Sequence, residues 1–474
     1  MTTRYLLAPI LALAVACSAN PSPSTGRMRP GDLIAIQQGA RGSSVRSTVV
    51  SEASVRSHME FLASDALNGR GSGTREEWMA AEYIAAQFSA WGLEPLGDEG
   101  GFVQKIALAG YEATGPPVVE AGELRFTHGR DILAGNVGRP TISGQLVKYA
   151  GEESVPMGSV VLLPPGEPAR QVTGAVLVIA EAGERDREQW TTRAARLPRV
   201  STEITEFVAD PLPRATIILS TTETHAALGA LIDRAEVTLR TPVAEPTRSY
   251  TWNVVASLTG SHERSADDVI VLSAHIDHIG ICAEEGDTIC NGADDNASGT
   301  VAVMELARAM ASGPRPRRTI VFALFGSEER GGHGASHFVQ LPVIPLESII
   351  ADIQFEMIGR PDEAVEPGEL WLTGFERSDL GPTLAERGAR LVADPHPEQN
   401  FFQRSDNFRF AREGIVAHTV SSFGLHEDYH RPSDEIRLID FAHMTAAIQS
   451  MLEPIRGLAN DEFRPEWAPD GRPR

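Results

Sequence analysis

Three apolar runs in the second half of the chain each stop at an acid or a histidine. Val269-Ile270-Val271-Leu272 leads to His275, Ile320-Val321-Phe322-Ala323-Leu324-Phe325 leads to Glu328 and Glu329, and Ile349-Ile350-Ala351-Asp352-Ile353-Gln354-Phe355 leads to Glu356. These runs predict buried strands, and the stretches between them, 297–312 and 334–340, have the apolar spacing of helices. Strand, helix, strand, helix, strand implies a parallel sheet, in which ligands bind beyond the carboxyl ends of the strands. Upstream, Val55, Met59 and Leu62 mark a helix beginning near Ser51, and Thr74 with Glu77 forms a capping box for another that ends before Gly92. The intervening Asn68-Gly69-Arg70-Gly71-Ser72-Gly73 follows a helix and not a strand, so it is read as structural and not as a nucleotide fingerprint. From 114 to 247 the pattern changes to short apolar runs, Gln145-Leu146-Val147, Val160-Val161-Leu162-Leu163, Ala175-Val176-Leu177-Val178-Ile179 and Thr216-Ile217-Ile218-Leu219. Pro and Gly separate them, which predicts a small β-rich domain inserted into a surface loop of the first.

The chain start changes the picture of where the protein works. Residues 1–16 hold one Arg and an apolar run from Leu6 to Val15, too short to span a bilayer, followed by Cys17. This reads as an export signal, with Cys17 resembling the lipidated first residue of a bacterial lipoprotein, periplasmic or anchored to the outer membrane; an ordinary signal peptide is the alternative. Residues 17–50 and the tail from 460 to 474 read as flexible. The remaining cysteines, Cys282 and Cys290, lie eight apart after His275, and an oxidising compartment would let them pair. The net charge of −22 argues against a nucleic-acid partner.

Several carboxylates and a histidine at one sheet edge repel one another and resist desolvation unless cations neutralise them. Nitrogen and oxygen donors without thiolates suit zinc, and more acids than one ion needs suggest two ions sharing a carboxylate. Five pieces then carry a resemblance: Ser273-Ala274-His275-Ile276-Asp277-His278, Gly292-Ala293-Asp294-Asp295-Asn296-Ala297-Ser298-Gly299, Gly326-Ser327-Glu328-Glu329, Phe355-Glu356-Met357-Ile358-Gly359-Arg360 and Tyr429-His430-Arg431-Pro432-Ser433-Asp434. In type and order they resemble the M28 zinc aminopeptidases.

The resemblance implies a three-layer α/β zinc-exopeptidase fold around a mixed, mostly parallel sheet. Its catalytic domain would be split into 51–113 and 248–459, with 114–247 similar to a protease-associated domain. It implies one zinc on His275, Asp295 and Glu356 and a second on Asp295, Glu329 and His430. Asp277 would orient His275, Glu328 would act as general base and Tyr429 would help to hold the oxyanion. Peptides are the implied substrates, cut at the N-terminal residue. Asp294, Asp352 and His426 are the rivals for the assigned positions, and His278, His333, His337, His418 and His443 are read as structural or pocket residues. Gly331-Gly332-His333-Gly334-Ala335 and Asn407 depart from the family pattern. A carboxypeptidase using Arg360 or Arg404, a glutaminyl cyclase of the same fold and a non-catalytic surface protein that binds peptides are the alternatives. No Gly-x-Ser-x-Gly elbow is present to support serine-hydrolase chemistry.

Overall fold

A computed structural model describes residues 48–152, 154–205, 215–264 and 267–473. The signal segment, Cys17 and nearly all of the 17–50 tether lie outside the described residues. Among the described residues no helix is long and apolar enough to cross a membrane.

The main sheet is mixed. Its four central strands run parallel in the spatial order Thr319–Phe325, Val269–His275, Ile349–Phe355, Ala417–Ser421. Every residue of the first three is buried, which is why they read as continuous apolar runs and not as alternating ones. On one flank Thr247–Leu258 pairs antiparallel with Thr319–Phe325 and then with Val103–Gly110. On the other, Leu370–Leu372 pairs antiparallel with Ala417–Ser421.

From Val269–His275 the chain crosses through the helix Gly299–Ser312 to the neighbour on one side, then through His333–Gln340 to the neighbour on the other. The strand order reverses at His275, and the two helices cover opposite faces. Ile270, Leu272 and Ala274 pack with Val301, Leu306 and the long helix Phe441–Asn460 on one face. Val269 and Val271 pack with Ala335 and Phe338 on the other. This is the topological switch point at which open α/β sheets bind ligands.

A second, eight-stranded sheet is built from residues between Val118 and Arg240, with its own apolar clusters on its two faces. The chain leaves the main sheet after Gly110 and rejoins it at Thr247, and those two residues are register partners. One short piece of this stretch, Glu203–Ile204, returns to pair with Val103–Gly110 at the edge of the main sheet.

The tail read as flexible is packed. The last helix runs to Asn460, Arg318 donates to Phe463 O at 2.7 Å, and Trp467 donates to Gly414 O at 2.9 Å. Its high Pro and charge content masked two aromatic anchors, Phe463 and Trp467, which pack against the core.

Candidate metal centre

Each strand end delivers its acid or histidine by a local device. Val269–His275 ends in a buried His275 whose Nδ1 lies 3.1 Å from Asp277 O; a carbonyl only accepts, so the proton sits on Nδ1 and the Nε2 lone pair faces outward. After Phe325 the chain turns through Gly326 and Ser327. A Cβ on Gly326 would sit 2.3 Å from Glu77 Oε1, and Ser327 has a left-handed φ of 58°. Ser327 N donates to Glu77 Oε1 at 3.1 Å, which holds this uncommon backbone in place.

Asp277 sits differently from the expected ring-orienting carboxylate. Its oxygens accept from Glu328 N at 2.9 Å, from Glu329 N at 3.3 Å and from the Ser72 hydroxyl, while Asp277 Oδ1 stays 3.8 Å from His275 Nδ1. The ring is held by the main-chain oxygen, and the carboxylate caps the turn that carries both glutamates.

Asp295 comes from the turn Ala293–Ser298, where the peptide to Asn296 is cis. Its amide and that of Asp294 donate to the Asp434 carboxylate at 3.0 Å. Cys282 and Cys290 are joined by a disulfide, beside the short pairing of Gly280–Ile281 with Ile289–Cys290.

The donor atoms converge in two groups that share Asp295. One is His275, Asp295 and Glu356; the other is His278, Asp295, Glu329 and His430. His275 Nε2 lies 3.4 Å from Asp295 Oδ1, and His430 Nε2 lies 3.2 Å from Asp295 Oδ2 and 3.1 Å from Glu329 Oε2. A tetrahedral zinc with bonds of about 2.0–2.1 Å spaces its ligands about 3.3 Å apart, so these separations fit such an ion. His430 Nε2 is buried and makes no hydrogen bond to either carboxylate, as expected of a lone pair aimed at a shared point.

The rivals face elsewhere. Asp294 accepts from Gly359 N at 2.8 Å and meets His426 Nε2 at 3.0 Å, and Asp352 accepts from Ser273 Oγ at 2.6 Å. His278, read from the sequence as structural or pocket-lining, stands inside the second group. Arg70 was missed as well. Fully buried, it donates to Leu62 O, to Ile276 O at 2.9 Å, to Asn291 O at 2.7 Å and to Gly292 O at 3.0 Å, tying together the segments that carry His275 and Asp295. The glycine-flanked Arg70 was the signal available for it.

Burial pushes the Glu328 carboxyl well above its ordinary range; His275 opposes the shift, while Asp406, Glu356 and Glu329 add to it. Burial likewise raises Glu356 to about 7. For Asp295 burial acts upward too, but the neighbouring His275, His278 and His430 outweigh it and hold the carboxyl well below the usual range. Tyr429 stacks on His430 with ring centroids 3.9 Å apart, and burial raises its hydroxyl, so it remains a donor at neutral pH. Glu328, Glu356, Trp371, Phe401 and Tyr429 line a cavity of about 40 Å³. Glu328 and Glu329 also line a wider cleft of about 850 Å³, whose far wall is Met157 with Gln171 to Val176 of the second sheet.

The buried histidines and carboxylates at the switch point of this mixed α/β sheet form a donor set that could hold metal ions. Residues 253–455 match the model of peptidase family M28. The structure of an aminopeptidase from Aneurinibacillus sp. strain AM-1 shares the fold, with a TM-score of 0.50 and 19% identity over 89% of this chain and 97% of that one. Leucine aminopeptidase 2 of Trichophyton rubrum is 26% identical over 245 residues, 46% of this chain and 47% of its own length. An aminopeptidase of Pseudomonas aeruginosa (strain UCBPP-PA14) is 30% identical over 175 residues, 36% of this chain and 30% of its own. The matches thus span less than half the length of these curated relatives.

Proposed function

We propose that the protein is a zinc-dependent aminopeptidase that hydrolyses the N-terminal residue of peptides at a centre of two ions. The observation that carries this reading is the convergence of two donor groups on the shared Asp295, with Glu328 beside them. His275, Asp295 and Glu356 would hold one ion, and Asp295, Glu329 and His430 the other. When bound, the ions supply Lewis-acid polarisation of the scissile carbonyl and acidify water.

Glu328 takes the proton of the attacking water and returns it to the departing amine. It stands on a turn whose amides are clamped by Asp277 and Glu77, and it lines the same cavity as Asp295, Glu329 and Glu356. The Tyr429 hydroxyl, stacked against His430, donates toward the oxygen that gains charge. The acids of the cluster favour a substrate that presents a free α-ammonium, which restricts cutting to the first residue. Arg360, a candidate for holding a substrate carboxylate, is paired with Asp428 at 2.7 Å, which weakens the carboxypeptidase alternative.

The test is release of the N-terminal residue from aminoacyl chromogens and short peptides, with zinc, after chelation, and in Glu328→Gln. Chelation is expected to abolish release reversibly. Glu328→Gln is expected to lose about 10²–10⁴-fold in kcat with its zinc content kept near that of the parent. A variant with parental kcat, or a parent inert on every free-amine peptide while zinc is bound, would overturn the reading.

A further inference from the structure

We propose that His278 is a positioning residue that orients Glu329 by a hydrogen bond and is not itself a metal ligand; this rests on the reading of the centre given above. His278 is fully buried, and its Nδ1 lies 2.8 Å from Glu329 Oε1 in hydrogen-bonding geometry. An ionised carboxylate only accepts, so the proton belongs to Nδ1. This bond occupies Oε1 and turns Oε2 toward His430 Nε2, 3.1 Å away.

Distance separates a donor from a ligand in this cluster. His430 Nε2 stands 3.1 and 3.2 Å from two carboxylate oxygens and bonds to neither, close to the edge of about 3.3 Å expected between ligands of a tetrahedral zinc. His278 Nδ1 is closer than that edge to Glu329, at 2.8 Å, and farther than it from Asp295 Oδ2, at 3.8 Å. Through Nδ1 it bonds to one ligand and stands outside the ligand edge from Asp295.

The glycine-rich loop fixes the ring. His278 N donates to Arg70 O at 3.1 Å and Ser72 N donates to His278 O at 3.2 Å, so the two segments pair across the back of the site. The ring lies flush against Gly292, where a Cβ would come within 2.6 Å of it, and meets His430 edge-on with centroids 5.5 Å apart. Asn68-Gly69-Arg70-Gly71-Ser72-Gly73 thus acquires a purpose: it carries the backbone that aims the imidazole at Glu329. A ligand carboxylate with one oxygen tied in this way presents the other to the ion in a single orientation.

The test compares His278→Leu, which keeps bulk and removes the donor, with His278→Asn, whose amide nitrogen falls close to the place of Nδ1. Zinc affinity is measured on the full chain by competition with a chromophoric chelator, and the cobalt(II)-loaded proteins are compared by visible absorption. In His278→Leu one of the two ions is expected to bind about 10–100-fold more weakly with the other unchanged, while His278→Asn stays within about threefold of the parent. The cobalt spectrum of His278→Asn is expected to match the parent. Parental affinity in His278→Leu overturns the proposal, and so does loss of the ion with a changed cobalt spectrum in His278→Asn, the mark of a true ligand. If His278→Leu does not fold, the cobalt spectrum of His278→Asn decides alone, a match supporting the proposal and a change overturning it. A parent that takes up no zinc overturns the reading of the centre, and this proposal with it.

Discussion

His418 shows how much one buried side chain can tie stability to pH. Its Nδ1 lies 2.7 Å from Thr373 O, so Nδ1 carries the proton, and Nε2 accepts from the Ser378 hydroxyl at 2.7 Å. Burial pushes the imidazole from 6.5 down to about 4; the folded chain keeps it neutral while the unfolded chain protonates it first. The group's contribution is therefore complete above pH 6.5 and is lost as pH falls toward 4. At about 1.36 kcal/mol per unit that is roughly 3 kcal/mol of stability. Urea midpoints between pH 4 and 7 are expected to fall more steeply with acid in the parent than in His418→Gln, by about one proton's worth of slope, and parallel curves would refute this. The same scale marks how far single residues can be read from sequence. Asp295, Glu329 and His430 were singled out by the resemblance of their motifs to the M28 family, and their donor atoms converge in the fold. His278 was not, because its contact with Glu329 joins residues 51 apart and nothing local sets it apart from a packed histidine.

At the scale of elements, what the sequence disclosed follows burial. The three central strands were legible because residues buried on both faces leave an unbroken apolar run. Val103–Gly110 was not, since its burial is irregular along an outer strand and its pairing with Thr247–Leu258 closes over more than a hundred residues. The C-terminal segment failed for a related reason: composition averages hide single anchors. Trp467 packs beside Phe402 and His418, with centroids 6.2 and 5.4 Å away, and caps Gly414 O. Removing a partly buried indole and its hydrogen bond costs about 2–3 kcal/mol. Trp467→Ala is expected to lower the thermal midpoint by several degrees with zinc content unchanged, whereas a truly flexible tail would leave the midpoint where it was.

At the scale of the whole molecule, the second sheet forms the far wall of the cleft that opens on Glu328 and Glu329. Its entry and exit strands are neighbours, with Ala113 bridged to Val243 and Gly110 paired with Thr247. A short turn can therefore replace residues 114–242 without forcing the main strands apart, since adjacent antiparallel strands need only a two-residue connection. The metal donors all come from the main sheet and its loops, so the shortened chain is expected to bind zinc and to cleave single-residue chromogens at a rate close to that of the parent. Peptides long enough to reach Met157 and Gln171 to Val176 are expected to lose affinity selectively. A tenfold rise in KM, about 1.4 kcal/mol, would correspond to a few lost contacts. Steady-state kinetics on a ladder of peptides from two to eight residues separates the possibilities. A KM that diverges from the parent only with length assigns the second sheet to substrate reach. A shortened chain that folds and binds zinc but cleaves no chromogen would instead make that sheet part of the catalytic centre.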